Sequence, residues 1–108
     1  MRRVHLGEFE ELVLLMVAVL QKEAYGVAIR NEIIENVGRK THISAVHTAL
    51  NRLELKGYIS STMGEATATR GGRRKRVFTI TRDGKHVLQF AREQRETIWN
   101  RVPEVVWG

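Results

Sequence analysis

Apolar residues recur at helical spacing in four stretches of this chain and alternate at strand spacing in two short ones. Glu8 to Lys22 opens with Glu8, Glu10 and Glu11, then runs without a polar residue from Leu12 to Leu20. Acidic residues at the start and Lys22 at the end suit a helix dipole. The middle of this helix has no polar face. It is therefore either central or covered on its second side by another subunit, and in so short a chain the subunit is favoured. Ala24-Tyr25-Gly26 opens a second helix, in which Ile29, Ile33 and Val37 recur every fourth residue beside Tyr25 and Ile34, and Gly38 ends it. Val46, Leu50 and Leu53 define a third helix from Ser44 to Gly57, with Ser44 as N-cap and Gly57 at the C′ position. Its opposite face carries Ser44, Thr48, Asn51 and Leu55, flanked by His47 and Arg52. Tyr58–Met63 and Val77–Thr81 read as strands, the second burying Phe78 and Ile80. Thr81 then caps a fourth helix, Arg82 to Arg101, stopped by Pro103.

The order of these elements fixes the expected architecture. Two helices joined by the short turn Gly38–His42, the second presenting small and polar side chains, form a helix-turn-helix. A hairpin directly after it is a wing. The fold class is mainly α with a small β-hairpin: a winged helix-turn-helix over residues 1–81 and a C-terminal helix and tail over 82–108, in one structural unit. The fourth helix arrives after the core is complete, yet Val87, Phe90, Ala91, Gln94, Ile98 and Val102 keep three-and-four spacing, as a coiled-coil seam would. A two-fold partner would cover it, so the chain is expected to form a homodimer through Leu12, Val13, Met16, Val87, Phe90, Ala91, Gln94, Ile98 and Trp99. Trp107, in the apolar tail, also needs cover.

Charge sharpens the picture at one place. Five of the seven residues Arg70 to Arg76 are basic (Arg70, Arg73, Arg74, Lys75 and Arg76), and they account for most of the formal net charge of +6. So local an excess marks a surface for a polyanion, although a solvated charged loop has the same composition. The stretch Gly64 to Arg76 has no hydrophobic anchor and is long for a hairpin tip, which predicts mobility without a ligand. A short arm with Arg2 and Arg3 precedes the first helix, either free or laid along phosphates.

Other chemistries find little support. There is no cysteine, hence no disulfide or thiolate metal site, which suits a reducing cytosol. No signal-peptide pattern follows Met1, and the nine-residue apolar run is well short of the roughly 20 residues of a membrane span. A cytoplasmic protein without a membrane partner is expected. His5, His42, His47 and His86 do not fall at metal-ligand spacing, and neither a nucleophile–base pair nor a phosphate loop is present. No enzyme, metal or cofactor is therefore expected.

Three segments carry a resemblance: Ala24-Tyr25-Gly26-Val27-Ala28-Ile29 after an apolar helix; Ala49-Leu50-Asn51-Arg52-Leu53-Glu54-Leu55-Lys56-Gly57-Tyr58-Ile59; and Gly72-Arg73-Arg74-Lys75-Arg76-Val77-Phe78-Thr79-Ile80-Thr81-Arg82-Asp83-Gly84-Lys85. Together, and in this order, they resemble the PadR family of bacterial winged helix-turn-helix regulators. The tyrosine and proline usual in that family's recognition helix are replaced here by His47 and Thr48. The resemblance implies a homodimer on double-stranded DNA with a palindromic operator, acting as a repressor, and in some members a small aromatic effector at the dimer interface, for which Trp99 is the candidate. The residues expected at DNA are Ser44, His47, Thr48, Asn51 and Arg52 in the recognition helix and Arg70, Arg73, Arg74, Lys75 and Arg76 in the wing. Asn51 is suited to adenine, Arg52 to guanine or a phosphate, and Thr48 to a thymine methyl. The alternative is a winged-helix module for protein or RNA contact. A flat salt dependence would favour it, because phosphate binding steepens the dependence by about 0.9 per contact.

Overall fold

The structure, a computed structural model, describes residues 6–64 and 74–108. It contains α1 (Glu8–Leu20), α2 (Gly26–Val37), α3 (Ile43–Leu55), β1 (Ile59–Met63), β2 (Arg76–Ile80), α4 (Arg82–Trp99) and a short α5 (Glu104–Trp107). A 3-10 turn, Gln21–Glu23, ends α1.

The core is the meeting of the stripes read from the sequence. Leu14 and Val17 of α1, Ile29 and Ile33 of α2, and Val46, Leu50 and Leu53 of α3 are all fully buried or nearly so. Phe78 of β2 and Val87 of α4 close the cluster. The two strands pair antiparallel with Ile59 opposite Ile80, Ser61 opposite Phe78 and Met63 opposite Arg76. A two-stranded hairpin is marginal by itself. Here the Phe78 amide donates to the Ala24 carbonyl at 3.0 Å, which ties β2 to the segment before α2.

The helix ends follow local chemistry. Gly57 has φ 82°, a left-handed conformation that glycine adopts without strain. Its amide donates to the Glu54 carbonyl and that of Tyr58 to Leu53, both at 3.0 Å, which completes a Schellman closure of α3. The expected cap at Ser44 is corrected. His42 is the extended residue before α3, and Ser44 already lies in the first turn, where its carbonyl accepts the Thr48 hydroxyl at 3.0 Å. The start is fixed from α2 instead, since Arg30 Nε donates to the Thr41 carbonyl at 3.1 Å and so staples the turn. Thr81 does cap α4: its Oγ1 accepts from the Gly84 amide at 3.1 Å and donates to the Gly57 carbonyl at 2.7 Å. Thr81→Ala loses both bonds and is expected to destabilise the fold by about 1–2 kcal/mol, with Thr81→Ser restoring most of it in a urea titration.

Only the first half of α4 meets the core, through Gly84, Val87 and the half-buried Leu88. Its 18 residues span about 27 Å, so the distal half projects. The radius of gyration, 16.2 Å, exceeds the roughly 13 Å of a compact chain of this length.

Candidate nucleic-acid interface

The face of α3 turned away from the core is open. Ser44, His47, Thr48, Asn51 and Arg52 are all exposed, while Val46, Ala49, Leu50 and Leu53 fill the inner face. Because Thr48 donates its hydroxyl proton inside the helix, it presents its methyl and a lone pair outward. Asn51 keeps a full amide, the group that matches adenine in a major groove. His47 stands slightly aside. A Cβ on Gly26 would come within 2.8 Å of His47 Cε1, so the ring lies over the start of α2. Arg52 reaches towards Glu10 of α1 at 4.0 Å, but Lys56 holds that carboxylate more closely, at 2.7 Å. Arg52 therefore remains largely exposed.

The base of the wing lies alongside. Tyr25, Gly26, His47, Asn51, Lys75 and Arg76 border one shallow depression between α2, α3 and the hairpin. The Lys75 ammonium sits 4.5 Å from the Tyr25 ring centroid, a cation–π contact. Arg74 Nε donates to the Gly64 carbonyl at 3.0 Å, and the Gly64 amide to the Lys75 carbonyl at 2.6 Å. Arg76 reaches Ser61 of β1 at 2.8 Å. The structure thus brings Lys75 and Arg76 beside the exposed face of α3, while Arg74 is held at Gly64. Arg70 and Arg73 lie outside the described residues, as do residues 65–73 of the expected mobile tip and the arginines of the N-terminal arm. The sequence did not reveal the Glu8–Arg39 pair, 2.6 Å, which holds the α2–α3 turn against α1.

A second surface lies on α1 and α4. Three residues expected at a dimer interface are corrected: Val13 (0% exposed), Met16 (9%) and Val87 (7%) belong to the protomer's own core. Leu12 and Ala91 are half-buried and Gln94 is exposed. Phe90, Ile98 and Trp99 are exposed, at 47%, 60% and 63%, and Leu15 and Val19 of α1, not anticipated there, are exposed too. A groove of about 870 Å³ runs between α1 and α4, lined in part by Leu15, Leu88 and Trp99. On its rim Arg92 donates to Glu96 at 2.7 Å, and this bond raises the guanidinium above its ordinary pKa. Pro103 turns the chain back after α4, and Trp107 of α5 stacks on Trp99 with centroids 5.1 Å apart. The stack gives Trp107 a neighbour from within the chain, and the residue still stays 56% exposed.

The model of the PadR-like transcriptional regulator family matches residues 14–90. The chain belongs to that family. The matched span contains α2, α3, the hairpin and the start of α4, the parts that build the exposed face just described. The resemblance read from the sequence and the winged-helix fold are both borne out, and PadR proteins are transcription regulators, which assigns this chain to DNA-linked regulation and not to an enzyme family. No curated protein matches it. Among solved structures, a PadR family transcription regulator from Clostridium difficile is 28% identical, with a TM-score of 0.67 over 82% of this chain and 91% of that one. A PadR-like transcriptional regulator from Bacillus cereus is 18% identical, with a TM-score of 0.73 over 93% and 92%. A PadR family transcriptional regulator from Eggerthella lenta is 22% identical, with a TM-score of 0.68 over 92% and 86%. The last two show the fold alone. Among the described residues no single helix is long and apolar enough to cross a membrane.

Proposed function

We propose that this PadR protein is a homodimeric repressor that binds an inverted-repeat operator. The observation that carries the reading is the row Ser44, Thr48, Asn51 and Arg52, exposed on one face of α3 beside the basic base of the wing. In this reading α3 enters the major groove, Asn51 pairs with adenine, Arg52 meets guanine or a phosphate, and the Thr48 methyl packs on thymine. Ser44 and His47 contact the backbone at the groove edge, and Arg70, Arg73, Arg74 and Lys75 follow the phosphates. The exposed apolar residues Phe90, Ile98 and Trp99 of α4, with Leu12 and Leu15 of α1, seat the second subunit. Trp99 is also the platform for a small aromatic effector. What supports this is the apolar groove beside it and an indole face already used for stacking.

Selection of bound duplexes from a random DNA pool at two salt concentrations tests this reading. The expected product is an inverted repeat with half-sites one helical turn apart, about 34–36 Å, lost steeply at the higher salt. Recovery of no preferred duplex at either salt would reject operator binding by the free protein and favour a protein-binding winged helix. On the selected operator, Asn51→Ala is expected to cost about 1–3 kcal/mol and to relax preference at one base pair of each half-site. An unchanged base profile would remove Asn51 from direct readout.

A further inference from the structure

The wing is joined to α3 by a chain of hydrogen bonds. The Arg76 guanidinium donates to the Ser61 hydroxyl at 2.8 Å, and that hydroxyl donates to the Glu54 carboxylate at 2.8 Å. A serine hydroxyl has one proton to give and lone pairs with which to accept. The chain therefore runs from cation through hydroxyl to anion, charge-assisted at both ends. Its three members sit on three elements. Glu54 is in the last turn of α3, Ser61 is the central residue of β1, and Arg76 opens β2 opposite Met63.

We propose that Arg76 is a positioning residue, and that through Ser61 it fixes the angle between the wing and the recognition helix. This rests on the DNA-reading function proposed above, and it moves Arg76 out of the phosphate-binding set expected from the sequence. The mechanical case is that a two-stranded hairpin cannot hold its own orientation. On one side β2 is tied at the Phe78–Ala24 hydrogen bond. The Glu54–Ser61–Arg76 chain supplies the tie on the α3 side, where β1 leaves the core after Ile59 and its remaining side chains are open to solvent or only half-buried. All three members of the chain are solvent-accessible, so the brace adds little to global stability. Its effect is on where the wing points once α3 is in the groove. Glu54 also gains from the arrangement, because an unpaired carboxylate at this edge of α3 would repel the phosphates that α3 must approach.

Ser61→Ala tests the brace, since it removes the bridge without altering charge. Operator affinity is expected to fall about fivefold, in line with one exposed charge-assisted bond. The salt slope and the affinity for unrelated duplexes should not change. Ser61→Thr, which keeps the hydroxyl on a strand-favouring residue, should bind as the wild type does. Arg76→Ala should lose a similar amount, and the double variant no more than either single one. Amide exchange at Gly64, whose N–H donates across the hairpin to the Lys75 carbonyl, should quicken in Ser61→Ala and not in Ser61→Thr. Additive losses, or a salt slope shallower by about 0.9 in Arg76→Ala, would make Arg76 a phosphate ligand and overturn the proposal. So would an indifferent Ser61→Ala alongside a normally binding wild type. If the wild type selects no operator while exchange still quickens, the DNA-reading function fails, and the brace loses its role in DNA reading with it.

Discussion

A protein carrying both Phe90→Glu and Ile98→Glu is expected to sediment as a monomer and to lose roughly 10²–10⁴-fold in operator affinity. Both side chains are exposed in the protomer, Phe90 at the middle of α4 and Ile98 near its end. Glutamate is a good helix former, so α4 itself should persist. The cost falls on association, because two carboxylates would be desolvated in an apolar seam. A monomer still presents α3 and the wing, so binding to a single half-site should survive at the weaker level. What disappears is the linkage that makes the second half-site an intramolecular event. Equilibrium sedimentation and an operator titration decide it together. A variant that remains dimeric would move the interface away from α4, and one that is monomeric but binds as before would separate dimerisation from DNA reading.

Gly84→Ala gives the second large effect, with a sign opposite to the usual one. Alanine in place of glycine within a helix normally stabilises by about 0.8–1 kcal/mol. Gly84 lies in the first turn of α4, pressed against the turn that follows α3. A Cβ there would overlap the Tyr58 carbonyl oxygen and lie 2.8 Å from Ile80 Cγ1. The obstruction is backbone, and the same oxygen accepts the Thr81 amide at 3.0 Å, so it cannot retreat cheaply. The expected result is a loss of roughly 1–3 kcal/mol, out of the 5–15 kcal/mol typical of a domain. Urea midpoints at fixed protein concentration measure it, since the proposed dimerisation would also shift apparent stability. Gly26→Ala is the control. There the added methyl meets only the ring of His47, a side chain that can swing aside, and the loss should be much smaller. Equal losses at the two positions would show that the docking of α4 on Tyr58 is softer than its geometry implies.

The inner faces of the helices were legible because spacing alone determines them. Val46, Leu50 and Leu53 were read from three-and-four periodicity, and each is fully buried. Gly57 and Thr81 were read from cap chemistry and occupy those positions. The assignment failed where a helix is apolar all round. Along α1 periodicity could not say which side turns inward, so Val13 and Met16 were placed at a subunit interface that their burial rules out, while Leu15 and Val19 went unnoticed. Val87 failed for a related reason, because one seam on α4 serves the core at its start and solvent further along. Side-chain pairs between distant segments, such as Glu10 with Lys56 or Glu54 with Ser61 and Arg76, leave no periodic trace and emerge only from the fold. The tail after Pro103 is too short to show a period, so its turn back onto Trp99 was not legible either.

The stack of Trp107 on Trp99 has an optical consequence. These are the only two tryptophans in the chain, and they sit together on α4 and α5, whereas both tyrosines, Tyr25 and Tyr58, belong to the winged helix. Indole emission is thus a private channel for the tail and the far end of α4. Without any label, loosening of the tail can be followed in indole emission apart from melting of the winged helix, which far-ultraviolet dichroism follows.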